Sequence, residues 1–279
     1  MGSRPEAVDG RNSSVRVLSG ECGDACGVRH ALSMTTPSRP RLLLVAHGTR
    51  SALGRRVLGR VLLETRKALR PDGATGIDTG VDTVDCRLAW VDVQSPGPER
   101  ILADGVPTVV VPVFLARGFH VTHDVGQACL QAPGPVVQTP HLGAEPEVVR
   151  AVVQRLAEAG ATGAFGADAV VLGAAGSRDT SSVAETRELA GTLSRLLGVP
   201  VTAAFASAAE PSVTDAVAAF RASGHSRVAV ATHLLAPGFF ADRLAAAGGD
   251  LTSEPLGAHP EIIDLIVRRY REFADVLCG

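Results

Sequence analysis

The chain is 279 residues long, 46% hydrophobic and 20% charged, with a formal net charge of −2. That balance belongs to a globular protein with a real core. It excludes a global basic field for nucleic acid, and no basic stripe interleaved with aromatics offers bases a stacking surface.

Residues 1–39 are rich in Gly, Ser, Arg and Asp without sustained periodicity, and they are expected to form a disordered extension. Met34, just before the first strand, is an alternative start. Cys22-x3-Cys26 with His30 has metal-ligand chemistry, but no second ligand pair follows at zinc-site spacing, which favours an unstructured tail. The pattern changes at Arg41. Leu42-Leu43-Leu44-Val45 is a short continuous apolar run, as in a strand buried on both faces of a parallel sheet. Residues 51–69 then carry Leu53, Val57, Val61, Leu62 and Leu69 at helical spacing. Strands are predicted at 84–92, 107–113 and 135–139, with helices near 97–104, 122–131 and 145–159. Strands alternating with helices in this way point to an α/β fold with parallel sheets.

The same order then recurs. A strand at 169–172 is followed by a helix at 180–197, strands at 200–206 and 227–232, and helices near 238–247 and 260–276. Val45-Ala46-His47-Gly48-Thr49-Arg50 aligns with Gly173-Ala174-Ala175-Gly176-Ser177-Arg178, and Leu142-Gly143-Ala144-Glu145-Pro146-Glu147 with Leu256-Gly257-Ala258-His259-Pro260-Glu261. One α/β unit has been duplicated. The expected domains are 40–160 and 165–279, linked through Gly160-Ala161-Thr162-Gly163.

Duplication permits an internal comparison. His47 ends a buried strand at the rim where open α/β sheets bind ligands, and its sister is Ala175. Asp92 follows the second strand opposite Ser207. His120 follows Phe114-Leu115-Ala116-Arg117-Gly118-Phe119, and its sister is Phe240. A single histidine at a strand end is ordinarily a satisfied loop residue, and Asp92 alone is ordinarily a helix cap. Three such candidates lost together in the sister half shift the balance towards a site. Two imidazoles and a carboxylate can hold a divalent transition metal while leaving positions open for substrate. His123 reads as a neighbouring or surface residue, and His233, at the place of Val113, as structural.

These residues resemble the class II chelatases, the two-domain sirohydrochlorin ferro- and cobaltochelatases, from Arg41 to Phe273. The resemblance rests on Leu42-Leu43-Leu44-Val45-Ala46-His47-Gly48-Thr49-Arg50, Ala89-Trp90-Val91-Asp92, Val111-Pro112-Val113-Phe114-Leu115 running into Gly118-Phe119-His120-Val121 and Asp124, and Glu210-Pro211-Ser212. It implies two flavodoxin-like, three-layer α/β domains facing across a cleft, the metal site lying in the first half. His47 and His120 would be the catalytic and metal-binding pair, with a family glutamate falling on Asp92, one methylene shorter. Gly126 stands where many members have proline. The implied activity is lyase-type insertion of Fe²⁺ or Co²⁺ into the anionic macrocycle on the way to sirohaem or cobalamin, with no cofactor beyond that metal substrate. Gly48, Thr49, Arg50, Arg117 and Gly118 are the substrate-binding candidates at the rim, with Arg178 beside them, because a guanidinium grips a carboxylate with two bonds.

Lys67 is the single lysine and follows Arg66, so the sequence holds no Gly-Lys phosphate loop and insertion is expected to be independent of ATP. A phosphotransfer histidine would follow an arginine, whereas Ala46 precedes His47; a nucleotide-dependent oxidoreductase would show G-x-G-x-x-G after a strand. A non-catalytic metal or tetrapyrrole carrier is the competing class. No apolar run has the length of a membrane span, no basic-then-apolar leader opens the sequence, and the five scattered cysteines, Cys22, Cys26, Cys86, Cys129 and Cys278, favour a reducing, cytoplasmic setting. Two fused halves supply both walls of a cleft, so a monomer suffices.

Overall fold

The computed structural model describes residues 39–70, 83–118, 120–160 and 166–278, and the backbone alone at 120–122 and 278. The N-terminal segment with Cys22, Cys26, His30 and Met34 lies outside the described residues. Chain order in the first half is β1 (Arg41–His47), α1 (Ala52–Ala68), β2 (Cys86–Val91), α2 (Pro98–Leu102), β3 (Thr108–Pro112), a π-helical turn (His120–Val125), α3 (Gly126–Leu130), β4 (Val136–Gln138) and α4 (Pro146–Gly160). The second half repeats it as β5 (Ala169–Ala174), α5 (Thr180–Leu197), β6 (Val201–Phe205), α6 (Val213–Ala222), β7 (Val228–His233), α7 (Phe239–Ala245), β8 (Leu251–Thr252) and α8 (Pro260–Cys278).

Two four-stranded sheets result, ordered β2-β1-β3-β4 and β6-β5-β7-β8, with every pairing parallel. This is the flavodoxin order without its fifth strand. The central strands are buried on both faces, and period two sends their side chains to different cores. Leu42, Leu44 and Ala46 join Val170, Leu172 and Ala174 in one apolar core shared by both halves. Leu43 and Val45 face an outer cluster with Ile101, Leu102 and Ala128, while Val171 faces another with Val217 and Leu244.

The final helices are exchanged. Helix α4, from the first half, packs on β7 and β8, whereas α8 packs on α1, β3 and β4 of the first sheet. The apolar face of α8 supplies Ile262, Leu265 and Ile266, all fully buried. Polar bonds reinforce the exchange: the Tyr270 hydroxyl donates to the Pro40 carbonyl at 2.8 Å, Arg155 Nη2 to the Leu256 carbonyl at 3.1 Å, and Arg269 pairs with Glu145 at 2.5 Å. At the end of the first sheet away from the strand C-termini, buried Arg41 donates through Nη1 and Nη2 to both Asp104 oxygens at 2.9 and 2.8 Å, and through Nε to Asp85 at 2.9 Å.

Two elements go beyond the sequence reading. Helix α6 is capped by Ser212, whose hydroxyl accepts from the Asp215 N–H at 3.1 Å, and it buries Val213, Ala216 and Val217. Strand β8 has two residues and closes the second sheet. Where a helix was expected over 122–131, a π-helical turn precedes a five-residue α-helix.

Because α8 completes the first half, Ile266→Ala is expected to destabilise the protein by roughly 2–5 kcal/mol. The loss should move a single denaturant transition, followed by circular dichroism and by Trp90 fluorescence. Two separate transitions in the unsubstituted protein would mean that the halves unfold independently.

Candidate functional site

Strand β1 lies between β2 and β3, so strand order reverses at its C-terminal end and a crevice opens there. His47 is the last residue of β1, exposed, and paired in register with Val91. Its Nδ1 lies 2.8 Å from the Gly48 carbonyl. A carbonyl only accepts, so Nδ1 carries the proton and Nε2 is the lone-pair nitrogen, the one able to ligate a metal.

The loop bearing Asp92 is laced to the His47 loop. Gly48 N–H donates to the Val91 carbonyl at 3.0 Å, and Thr49 N–H to Gln94 Oε1 at 3.0 Å. A Cβ on Gly48 would collide with the Asp92 carbonyl, so a side chain is excluded there by the neighbouring loop. Asp92 and Val93 both adopt left-handed φ, at 62° and 60°. Such a conformation costs a branched residue like Val93 on the order of 1–3 kcal/mol. The Asp92 carboxylate is exposed and accepts from the Val93 N–H at 2.7 Å. The second half has the same loop: Ala208 has φ 61°, Ala209 N–H donates to Ser207 O at 2.8 Å, and a Cβ on Gly176 would meet the Ser207 carbonyl.

His120 opens the π-helical turn after β3, with buried Val125 seating that turn in the outer core. Single π turns recur at functional sites. His123 is exposed, with Nδ1 3.1 Å from Asp124 Oδ1. A cavity of about 590 Å³ is lined by Asp92, Gln94, Glu99, His123, Asp124 and Gln127 among others, and not by His47. Among the described residues no three His, Cys, Asp or Glu side chains are close enough to hold one ion; the His120 imidazole lies outside them. Arg50, Arg117 and Arg178 are exposed at the rim. Arg55 Nη1 braces the first of these loops through the carbonyls of Thr49 and Arg50, at 3.3 and 3.0 Å. A Cβ on Gly118 would meet open space.

Each half also meets the other's rim. A Cβ on Gly238 would touch Ser51 and Thr49 at 3.5 and 3.7 Å, and one on Gly54 would touch the Pro237 carbonyl at 2.8 Å, so the loop after β7 abuts the His47 loop. Conversely, the Arg117 N–H donates to Glu185 Oε2 at 2.8 Å, anchoring the segment that leads to His120. Glu185 Oε1 lies 2.8 Å from His141 Nε2. Burial works to raise the Glu185 pKa, but the bonds from His141 and Arg117 outweigh it and hold it below the ordinary value. Asp179 is likewise lowered, chiefly by hydrogen bonding from Ser181, with the charge of Arg117 adding to it.

His233 is buried, its Nδ1 has no hydrogen-bond partner, and it is bonded to the Leu115 backbone with the charge of Glu185 close by. Glu185 has no mention in the sequence reading; its signal is the duplication, which sets it opposite Val57, a carboxylate where the first half is apolar.

Desolvation drives the His233 pKa from its ordinary 6.5 down to about 4. Between those values the unfolded chain binds a proton on this imidazole and the folded chain does not, so stability falls as pH falls through that window. The total is on the order of 3 kcal/mol, or about 1.4 kcal/mol per pH unit. His233→Gln is expected to flatten the urea midpoint between pH 6.5 and 4 by that slope; an unchanged slope would refute the assignment.

The sequence model of the CbiX family matches residues 41–159 and 169–273, once for each half. No curated protein matches the chain. The fold is similar to that of the sirohydrochlorin chelatase SirB from Bacillus subtilis subspecies spizizenii in complex with cobalt, with 21% identity, a TM-score of 0.62, and coverage of 84% of this chain and 95% of that one. SirB from Bacillus subtilis with Fe3+ gives 20% identity and a TM-score of 0.64 over the same shares. CbiX, described as the terminal enzyme for biosynthesis of siroheme in denitrifying bacteria, gives 19% identity and a TM-score of 0.58, covering 83% of this chain and 98% of that one. With the family model matching both halves over most of the chain, the protein belongs to the CbiX family.

Proposed function

We propose that the chain is a chelatase that inserts Fe²⁺ or Co²⁺ into sirohydrochlorin without ATP. The carrying observation is His47 at the strand-order reversal, its tautomer set by Gly48, in a chain of the CbiX family. The solved proteins that share its fold include SirB bound to cobalt and SirB with Fe3+, and that pairing supports both metals as candidates.

In this reading His47 and His120 hold the hydrated ion and present it to one face of the macrocycle. Asp92 adds a carboxylate from the loop laced to His47. As pyrrole nitrogens displace the imidazoles on the ion, those imidazoles take up the two pyrrole protons, so charge balances as the metal enters. Arg50 and Arg117 grip peripheral carboxylates, with Arg178 opposite them. Gly48, Thr49 and Gly118 bring backbone to the ring edge. Two imidazoles and one carboxylate leave coordination positions open, which insertion requires.

The test is anaerobic insertion of Fe²⁺ and Co²⁺ into sirohydrochlorin, followed by absorbance. His47→Ala and His120→Ala are each expected to lower the rate about a hundredfold or more. Asp92→Asn keeps the bond from the Val93 N–H, so weaker Co²⁺ binding at unchanged melting temperature marks Asp92 as a ligand. Tetrapyrrole binding without turnover above the uncatalysed rate would replace the enzyme by a carrier.

A further inference from the structure

Phe239 and Phe240 open helix α7 with 69% and 38% of their surfaces exposed. Isolated exposed apolar residues need no explanation, but these rings are adjacent and form an edge-to-face pair, centroids 5.5 Å apart at 63°. Each Phe left in water forgoes a large apolar burial. Their position gives a use for that exposure. Gly238, the residue before them, packs on Ser51 and Thr49, so the pair stands beside the His47 loop, contributed by the opposite half. In the duplication Gly238-Phe239-Phe240 occupies the place of Gly118-Phe119-His120. Where the first half offers a ligating imidazole, the second therefore offers an aromatic face. The Arg243 guanidinium carbon lies 5.8 Å from the Phe239 ring centre, which joins a cation to the aromatic pair.

We infer that Phe239 and Phe240 form an aromatic platform for a flat conjugated macrocycle bearing carboxylates, one phenyl ring stacking on it while the other, at 63° to the first, meets it through its edge, with Arg243 receiving one of those carboxylates. The inference rests on the proposed chelatase reading and adds an aromatic contact from the second half, next to the glycine that meets the His47 loop. A π-surface recognises a flat ring system through stacking, which aromatic side chains supply to nucleobases at about 1–3 kcal/mol per base. The adjoining cation meets the charged edge of the ring, so one ligand satisfies both features.

Trp90, the single tryptophan, is the penultimate residue of β2, two positions before Asp92, and is an internal emission probe that a bound tetrapyrrole quenches. Full-length protein is titrated with sirohydrochlorin and, separately, with Co²⁺ alone. Phe239→Ala/Phe240→Ala is expected to weaken sirohydrochlorin binding roughly tenfold or more, leaving Co²⁺ affinity and melting temperature unchanged. Phe239→Leu/Phe240→Leu keeps apolar bulk without a flat face and should lose affinity too. Arg243→Ala should weaken binding and flatten its salt dependence. Unchanged sirohydrochlorin affinity in both double variants overturns the platform alone, and a shift in sedimentation with affinity unchanged assigns the patch to self-association instead. Failure of the unsubstituted protein to bind sirohydrochlorin overturns the chelatase reading and the platform with it.

Discussion

The exchange of the terminal helices fixes the rest of the structure. Helix α8 buries Ile262, Leu265 and Ile266 on the first half while α4 lies on the second sheet, so neither half has a complete inner face without the other. One apolar core runs between the sheets. Each fully buried branched side chain contributes about 1.5–3 kcal/mol, whereas exposed ion pairs such as Arg268 with Glu147 contribute about 0–1 kcal/mol each. The apolar face therefore dictates the assembly, and the ion pairs trim its edge. The consequence for function is geometric: the rim loops of the two halves are held against one another by a packed interior, which is close to incompressible.

Within that frame the duplicated units have diverged in chemistry while keeping backbone form. Gly48 and Gly176 each sit under the carbonyl of the neighbouring loop, and Val93 and Ala208 share a left-handed φ. The side chains placed on this common backbone differ in kind. The first half carries imidazole and carboxylate groups at its strand ends. The second carries Ala175, Ser207 and Phe240 there, and has its own polar residues deeper, at Glu185 and His233. Glu185 spends its carboxylate on the Arg117 N–H and His141, which makes it a brace for the segment entering the His120 turn. One copy thus carries the candidate ligands and the other braces the segment that leads to one of them, a division that a duplicated fold permits because each backbone position exists twice.

The strands and long helices were legible in the sequence because continuous apolar runs and a period of 3.6 read directly as buried strands and amphipathic helices. Helix α6 carried its signal in Ser212 and the spacing of Val213, Ala216 and Val217, and it went unread. Strand β8, at two residues, has no period to detect. Helix exchange is invisible at this level, since amphipathicity states which face is buried and not which sheet buries it. The π turn at His120–Val125 departs from both templates for the same reason: its period is neither two nor 3.6. His47, Asp92 and His120 stood out because their sister positions lost ligating chemistry. Gly48 has no room for a side chain, because the carbonyl of Asp92 lies where its Cβ would stand, and this close approach of two loops has no periodic signature in the sequence.

The exposure of the candidate ligands bears on the proposed chemistry. A structural metal site closes four ligands around its ion, and binding of that strength opposes release. Insertion instead requires ligands that hold an ion long enough to orient it and then yield to pyrrole nitrogen. His47 and Asp92 meet that requirement by standing exposed, His47 at the end of β1 with Nδ1 2.8 Å from Gly48 O, and Asp92 in the loop after β2, accepting from the Val93 N–H at 2.7 Å. Rigidity is supplied one layer below, where Leu43, Val45, Ala89 and Val91 are buried and β1 and β2 are paired through His47 and Val91. Such a site orders first-row metals by their intrinsic affinities and adds little selection of its own. Discrimination between iron and cobalt would then come from metal supply, and the protein's specificity would be directed at the macrocycle.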